Sequence, residues 1–143
     1  MRVAVTGAAG FIGFQTVREA LRRGWEVDAV THRARSPELE ALAASGAVRR
    51  VQADLGEPAQ ICAAFDGSPA PDAVIHCAGR ASDVGWPSEF RRANFEAVAN
   101  LGSYCLARGV KRLVFLSTTD VYGLRDFSGE REEELPFDEN ARN

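Results

Sequence analysis

Thr6-Gly7-Ala8-Ala9-Gly10-Phe11-Ile12-Gly13 joins a short apolar run at Arg2–Thr6 to a segment with helical periodicity. The apolar run is rich in β-branched residues, which is typical of a strand. The segment that follows has one apolar helical face, formed by Gly13, Val17, Ala20 and Leu21. The order strand, glycine-rich turn, helix predicts a loop that binds the phosphates of a dinucleotide.

The three glycines of this turn have GxxGxxG spacing, and each has a physical task. Gly7 permits a tight turn, Gly10 lets the backbone approach a pyrophosphate, and Gly13 allows the helix to pack close to the strand. The first N–H groups of the helix then face the phosphates. The predicted cofactor-binding residues of the loop are Gly7, Ala9, Gly10, Phe11, Ile12 and Gly13. The alternative is a glycine turn that serves packing alone.

Strands and helices alternate along the rest of the chain. Four further apolar runs predict strands at Glu26–Thr31, Val48–Gln52, Asp72–His76 and Arg112–Ser117. The first predicted helix ends before Gly24, and the second begins at Pro37, after the capping residue Ser36. The third and fourth predicted helices cover Glu57–Phe65 and Pro87–Arg108. The last helix has a stripe of Phe90, Ala97, Leu101 and Cys105, and Gly109 closes it. This pattern predicts an α/β fold, a Rossmann-type doubly wound parallel sheet with strand order 3-2-1-4-5, truncated after strand five.

The pattern changes after Gly123. The segment Leu124–Asn143 contains a charged run at Glu130–Glu134 and no periodic apolar positions, which predicts a surface loop or a frayed tail. We therefore divide the chain into a dinucleotide-binding domain over residues 1–123 and a tail over residues 124–143.

Composition narrows the function classes. The chain has 143 residues, of which 45% are hydrophobic, and a net charge of −3 with both signs mixed, which argues for one domain without a nucleic-acid surface. No apolar run is long enough to span a membrane, and the first residues do not read as a signal peptide. The chain has an odd number of cysteines, and no two of them have CxxC spacing: Cys62, Cys77 and Cys105. We expect reduced, mostly buried thiols in a cytoplasmic protein and no metal site.

The end of strand two bears on which nicotinamide cofactor is preferred. Domains that prefer NAD place a carboxylate there to bind the ribose hydroxyls, whereas Thr31 is followed by His32-Arg33-Ala34-Arg35. Arg33 can pair with a 2′-phosphate and stack on adenine. We therefore expect NADP to be preferred, with NAD as the second choice, and we include Thr31 and Arg33 in the site. The alternative is that Arg33 and Arg35 are solvated loop charges.

Asp54 and Leu55 follow strand three at the same edge of the sheet. The carboxylate of Asp54 can accept a hydrogen bond from the adenine amino group while Leu55 covers the ring. Alternatively, Asp54 caps the next helix.

These segments together resemble a known family. The motifs are TGAAGFIG, Ala53-Asp54-Leu55, His76-Cys77-Ala78-Gly79, Asn94 and Leu116-Ser117-Thr118-Thr119-Asp120-Val121-Tyr122-Gly123. Their order and spacing resemble extended short-chain dehydrogenases/reductases, and best the NAD-dependent epimerase/dehydratase family, which includes nucleotide-sugar 4-epimerases. The resemblance extends over nearly the whole chain, to about Gly123.

The resemblance implies roles for individual residues. Cys77, Ala78 and Gly79 would lie under the cofactor, while His76 is interpreted as structural. Asn94 would help to order the active site, unless it only bonds nearby backbone. Leu116 and Ser117 would contact the cofactor at the end of strand five.

The catalytic residue that the resemblance assigns is Thr118, whose hydroxyl would hydrogen-bond the substrate oxygen that loses or gains a proton. The alternative is an ordinary hydroxyl at a strand end. Four further residues are candidate substrate contacts, and being ordinary surface residues is an equal alternative for them: Arg80, Ser82, Asp83 and Trp86.

The resemblance fails at the acid/base pair. The family needs Tyr-x-x-x-Lys, but Tyr104 is followed by Arg108, Tyr122 by Asp126, and Lys111 is the sole lysine. The segment Leu135-Pro136-Phe137-Asp138-Glu139-Asn140 resembles the loop before the family's catalytic helix, so we expect a truncation. Strand five would then be an exposed edge, with aggregation or formation of a homo-oligomer as the consequence.

Two hypotheses follow. The first is the NAD(P)-binding portion of an epimerase, dehydratase or reductase that transfers hydride at a hydroxyl or carbonyl carbon of a sugar nucleotide or a similar small molecule, with this chain inactive alone. The second is a non-catalytic NADP(H)-binding sensor or regulatory module. Both predict a nicotinamide dinucleotide as partner, and neither a nucleic acid nor a membrane.

Overall fold

A five-stranded parallel sheet forms the centre of the protein. The computed structural model describes residues 1–82, 84–122, 129 and 131–135. The strands are β1 (Arg2–Thr6), β2 (Glu26–Thr31), β3 (Arg49–Gln52), β4 (Ala73–His76) and β5 (Arg112–Phe115). Their order is β3-β2-β1-β4-β5, and all four neighbouring pairs are parallel. The predicted order 3-2-1-4-5 is confirmed, with shifts of one or two residues at some strand ends.

Helices connect the strands at the predicted places. They are α1 (Phe11–Arg22), α2 (Pro37–Ala44), α3 (Pro58–Ala64), α4 (Pro87–Phe90), a π-helix (Arg91–Glu96) and α5 (Ala97–Arg108), with 3₁₀ turns at Thr119–Tyr122 and Glu132–Glu134. Ser36 caps α2 as predicted, because its Oγ accepts a hydrogen bond from the N–H of Leu39 at 3.3 Å. Gly109 ends α5 with a φ of 67°, in the left-handed region that favours glycine.

The two faces of the sheet have separate cores. On one face α1 and α2 pack against β1 and β2, through Val3, Val5, Val17, Ala20, Ala29 and Leu39. On the other face α3 and α5 cover Ala4, Val30, Val51 and Val74, through Ile61, Phe65, Leu101, Tyr104 and Cys105. Alternate residues of each strand point to opposite faces, so both cores are built from the same short runs. This arrangement confirms the doubly wound architecture.

The long helix departs from the regular helix that we predicted for Pro87–Arg108. Its second segment, Arg91–Glu96, is a π-helix. Ala97, Leu101 and Cys105 are buried in the core, whereas Phe90 is half-buried and lies beneath the guanidinium of Arg80, 5.2 Å from ring centroid to Cζ. The i→i+5 bonding of a π-helix changes the angular register, so residues before and after it do not share one regular stripe.

The cysteines are more exposed than we predicted. Only Cys105 is buried, while Cys77 is half-buried and Cys62 is exposed on α3, so the prediction of mostly buried thiols is wrong.

At the edge of the sheet β5 is exposed along its length, with 52% of Val114 and 49% of Phe115 accessible. An exposed apolar edge strand was expected there; the oligomeric state stays a prediction.

Several predictions lie outside the described residues. They concern Asp83, Asp126, the domain boundary at Gly123 and most of the tail, of which only residues 129 and 131–135 are described. Within the described ranges, none of the helices combines the length and the apolar character needed to cross a membrane.

Candidate functional site

A groove of about 800 Å³ lies at the carboxyl edge of the sheet, where α/β folds bind ligands. The loops after β1, β2, β3 and β4 line it, together with the π-helix. Ten of the predicted site residues meet there: Gly7, Ala9, Gly10, Thr31, Arg33, Asp54, Leu55, Cys77, Ala78 and Gly79. The fold therefore brings together segments that are far apart in the sequence, as in the hydrogen bond from the N–H of Ala78 to Thr6 Oγ1, which spans 72 residues.

The turn after β1 fits tightly against the turn after β4. Gly7 has a φ of 66°, and a side-chain carbon there would lie 2.8 Å from the backbone nitrogen of Ala78. The N–H of Gly10 donates to the carbonyl of Gly7 at 2.8 Å, and the N–H of Ala8 donates to the carbonyl of Val30 at 3.2 Å. Glycine at position 7 therefore meets both a conformational and a steric requirement.

α1 begins directly after Gly10, its N-cap residue, which lines the groove. The N–H of Phe14 makes the first bond of the helix, to the carbonyl of Gly10 at 2.8 Å, so the N–H groups of Phe11, Ile12 and Gly13 have no intrahelical acceptor. The side chains of Phe11 and Ile12 are exposed and do not line the groove. The first turn of α1 contains no acidic residue, and the positive end of the helix dipole favours an anion.

Gly13 lies close to the carboxyl end of β1. We expected it to let the helix pack close to the strand, and a side-chain carbon at Gly13 would overlap the carbonyl group of Gly7, the first residue after β1. Gly13 is buried and lies in α1 rather than in the lining of the groove. Its task is therefore to bring α1 against the turn itself.

The end of β2 carries cations and no carboxylate. Thr31 is buried, and its Oγ1 has no hydrogen-bond partner among the described residues. His32, Arg33 and Ala34 line the groove, and all three are exposed. Arg35 is exposed as well and does not line it. Arg33 thus lies in the groove lining directly after β2, and its role in cofactor binding stays a prediction.

Asp54 is held by a network after β3. Its Oδ1 accepts from the N–H of Gly56 at 2.9 Å, and its Oδ2 accepts from Arg92 Nη2 at 2.7 Å. The alternative that Asp54 caps the next helix is wrong, because the residue that precedes α3 is Glu57, and no side chain caps that helix. Leu55 lines the groove beside Asp54 and is otherwise buried.

His76 at the end of β4 lies in the core and not in the lining of the groove. Its Nδ1 is 2.7 Å from Thr6 Oγ1, which accepts from the N–H of Ala78 at 3.2 Å. Burial lowers the pKa of His76, because a charged imidazolium would lose its hydration. The ring also stacks on Phe115 with 5.7 Å between centroids. This agrees with the structural role that we inferred for His76.

Asn94 lies on the π-helix and anchors the loop after β4. Its Oδ1 accepts from the N–H of Arg80 at 2.7 Å, and its Nδ2 donates to the carbonyl of Arg80 at 3.1 Å. Both partners belong to another segment and not to the helix of Asn94. Asn94 does not line the groove, but Arg80 does, so Asn94 acts on the groove wall through Arg80.

The residues after β5 lie apart from this lining. Leu116, Ser117 and Thr118 are exposed and do not line the groove. The N–H of Leu116 donates to the carbonyl of His76 at 3.1 Å, and the carbonyl of Thr118 accepts from the N–H of Val121 at 3.5 Å. Of the candidate substrate contacts, Arg80 lines the groove, whereas Ser82 and Trp86 are exposed outside its lining.

Sequence reasoning missed the side chains that the π-helix contributes. Arg92 and Ala93 line the groove, as do Glu89 before them and Gly56 on the opposite wall. A regular helical pattern gives no signal for them, because the π-helix changes which side chains face the sheet edge. Among the described residues no group of three or more His, Cys, Asp or Glu could hold a metal ion.

Comparison with known proteins establishes the family. Residues 3–143 match the NAD dependent epimerase/dehydratase family. The protein belongs to this family. Its glycine turn, groove and sheet order are thus those of an epimerase/dehydratase-family chain, and the resemblance seen in the sequence is confirmed.

Curated relatives of this family member include both reductases and epimerases. A dTDP-4-dehydro-6-deoxy-D-allose reductase from a Streptomyces species is 34% identical over 138 residues, which are 92% of this chain and 42% of the relative. A UDP-glucose 4-epimerase from Klebsiella pneumoniae is 33% identical over 131 residues, 86% of this chain and 93% of the relative. The chain thus spans less than half the length of the Streptomyces relative.

A solved structure supports the same assignment. The UDP-glucose 4-epimerase from Bifidobacterium longum in complex with NAD+ and UDP superposes with a TM-score of 0.82 at 30% identity. The match covers 97% of this chain and 43% of that one.

Proposed function

We propose that this chain is the NAD(P)-binding portion of an epimerase, dehydratase or reductase of the extended short-chain dehydrogenase type. The observation that carries the proposal is the contact between the turns after β1 and β4, where Gly7 lies directly against the backbone of Ala78 in the groove lining. A dinucleotide fits such a wall because its diphosphate needs close backbone N–H donors.

In this proposal, different residues bind different parts of the dinucleotide. The N–H groups of the first turn of α1 hold the diphosphate, and the Asp54 carboxylate accepts from the adenine amino group. The small residues Ala78 and Gly79, which line the groove, leave room for the nicotinamide half. When bound, the nicotinamide supplies or takes up hydride at a hydroxyl or carbonyl carbon of the substrate.

The substrate side of the proposal involves Thr118. Its hydroxyl hydrogen-bonds the substrate oxygen that gains or loses a proton. The sequence contains no Tyr-x-x-x-Lys pair to exchange that proton, so we expect no turnover by these 143 residues alone. The substrate class is a sugar nucleotide or a similar small molecule, as the names of the epimerase and reductase relatives support.

The preferred cofactor in this proposal is NADP, with NAD as the alternative. Arg33 lines the groove directly after β2, where a carboxylate would favour the unphosphorylated ribose. A guanidinium there can pair with the 2′-phosphate. The NAD bound in the Bifidobacterium epimerase shows that the family fold also accepts the unphosphorylated form.

Selective thiol labelling tests the proposal within one chain. Cys77 lines the groove, whereas Cys62 is exposed on α3 outside it. Saturating NADP+ or NAD+ should slow the reaction of a maleimide with Cys77 and leave Cys62 unchanged, as read by peptide mass spectrometry. Equal labelling of Cys77 with and without dinucleotide, together with no heat of binding in calorimetry, would refute it.

A second candidate is a non-catalytic NADP(H) sensor that binds the dinucleotide through the same groove. A sensor should change its association state when the dinucleotide binds, which light scattering measures. Binding without such a change favours the enzymatic assignment.

A further inference from the structure

Arg92 connects the two walls of the groove. It lies on the π-helix, and its Nη2 is 2.7 Å from Asp54 Oδ2 and 2.8 Å from Glu57 Oε1 on the loop after β3. The Arg92–Asp54 contact spans 38 residues of sequence. We name Arg92, Asp54 and Glu57 the clasp.

The clasp is part of a network that fixes the orientation of Asp54. Besides Arg92, the carboxylate binds the N–H of Gly56, and the backbone N–H of Asp54 donates to Gln60 Oε1 at 3.0 Å. Each carboxylate oxygen can accept a further hydrogen bond. The side chain of Asp54 is 19% exposed, and the residue lines the groove. A fixed acceptor is therefore available to a ligand there.

Gly56 makes room for the clasp. A side-chain carbon at this position would lie 2.6 Å from Nε and 3.0 Å from Cγ of Arg92. The arginine side chain therefore lies directly on the backbone of the loop. The short segment from Asp54 to Glu57 supplies both carboxylates and the space in which Arg92 reaches them.

We propose that Arg92 is a positioning residue that makes Asp54 selective for adenine over a base that carries a carbonyl oxygen in place of the adenine amino group. The proposal rests on the proposed dinucleotide-binding function. A fixed carboxylate accepts from the adenine amino group and repels the carbonyl oxygen of hypoxanthine. A carboxylate that is free to rotate can turn away from that oxygen, and much of the discrimination is then lost.

Calorimetric titration with NAD+ and with nicotinamide hypoxanthine dinucleotide tests this role. The two probes differ only in the base, so their affinity ratio isolates the contact with Asp54. The full chain should bind NAD+ about tenfold or more tightly than the analogue, and Arg92→Met should reduce this ratio to about two- to threefold. The matched control is Arg91→Met. Arg91 lies on the same π-helix, pairs with Glu96 at 3.1 Å and does not line the groove, so the ratio should stay that of the parent chain.

A double-mutant cycle separates positioning from a general structural effect. In an Asp54→Asn background, Arg92→Met should leave the affinity ratio of the two dinucleotides unchanged, because the carboxylate that Arg92 orients is absent. Arg92→Lys keeps the charge without the planar fork and should give an intermediate ratio. If R92M loses the helical circular dichroism of the parent chain, R92K takes its place in the comparison.

The outcomes distinguish this inference from the proposed function. If the parent chain binds dinucleotide and R92M, or R92K in its place, keeps the full preference for adenine, the positioning role is overturned and the dinucleotide function stands. If the parent chain binds neither probe nor NADP+, the proposed function itself fails.

Discussion

Gly13 packs directly against Gly7, because a side-chain carbon on Gly13 would overlap the Gly7 carbonyl oxygen and lie 2.6 Å from its carbonyl carbon. The neighbouring atoms are backbone, which cannot rotate away as a side chain can. The first turn of α1 is thus held against the turn that lines the groove, and the position of its N–H groups depends on this contact.

Gly13→Ala should therefore reduce dinucleotide affinity by at least about tenfold and lower the free energy of unfolding by about 1–3 kcal/mol. Calorimetry and chemical denaturation measure the two effects. Gly102→Ala is the matched control. Gly102 lies in α5, where an added side-chain carbon would meet no atom within 4 Å, and alanine favours a helix by about 1 kcal/mol over glycine. A G13A variant that binds as tightly as G102A would contradict the packing argument.

Asp28 in β2 should be essential for stability. It is buried with its side chain 2% exposed, and it binds Arg2 Nε at 3.0 Å and Arg49 Nε at 2.7 Å. Asp28→Ala leaves two guanidinium groups without their anion and should lower the free energy of unfolding by about 3–5 kcal/mol. Chemical denaturation measures the loss. Glu26→Gln removes a charge from an exposed position of the same strand and should change stability by less than about 0.5 kcal/mol; similar losses in both variants would refute the role of the buried pair.

The same carboxylate should contribute an acid limit to stability. Burial alone would raise the pKa of Asp28, but the hydrogen bonds and charges of Arg49 and Arg2 lower it below its usual range. An acid with a lowered folded-state pKa stabilises the fold above the unfolded-state pKa, and this contribution is lost as the pH falls through the lowered value. Denaturation of the parent chain across acid pH should show this loss. In D28A the corresponding component should be absent, and an identical acid profile in both would argue against it.

His76 should make stability fall on mild acidification. Burial lowers its pKa, so below about pH 6.5 the unfolded chain binds a proton that the folded chain does not. The free energy of unfolding should decrease from about pH 6.5 down to the lowered pKa and then lose this dependence. Denaturation of parent chain and His76→Gln at several pH values measures it. Val74→Ala, a core change in the same strand, should lower stability at every pH and keep the slope. A slope in H76Q equal to that in V74A would contradict the assignment.

Arg33 should determine the preference for NADP. Arg33→Ser should weaken NADP+ binding by about tenfold and leave NAD+ nearly unchanged, because only the 2′-phosphate pairs with the guanidinium. Arg35→Ser is the control, since Arg35 is exposed on the same loop and does not line the groove. Calorimetry at moderate salt measures both cofactors. Tighter binding of NAD+ than of NADP+ by the parent chain would reject the preference itself.

The sequence was sufficient for the sheet because its signals are local. The β-branched run at Arg2–Thr6, the glycines that follow, and the cap at Ser36 each specify backbone conformation over a few residues, and the strand order follows from the handedness of the crossovers. The residues at strand ends could be assigned to the groove for the same reason, since parallel strands end at one edge. Gly7, Arg33, Asp54 and Ala78 are examples.

Tertiary contacts decided the rest. The π-helix puts the Arg92 side chain against that of Asp54, 38 residues away, and the Asn94 side chain against the backbone of Arg80, 14 residues away. No short sequence pattern encodes such pairings. The buried ion pairs of Asp28 depend on the register of three strands, which sets which side chains become neighbours. The sequence by itself therefore determined the backbone architecture and the place of the groove. Packing of distant segments determined which charged and polar groups become neighbours, because electrostatic and hydrogen-bond energies depend on distances that exist only after folding.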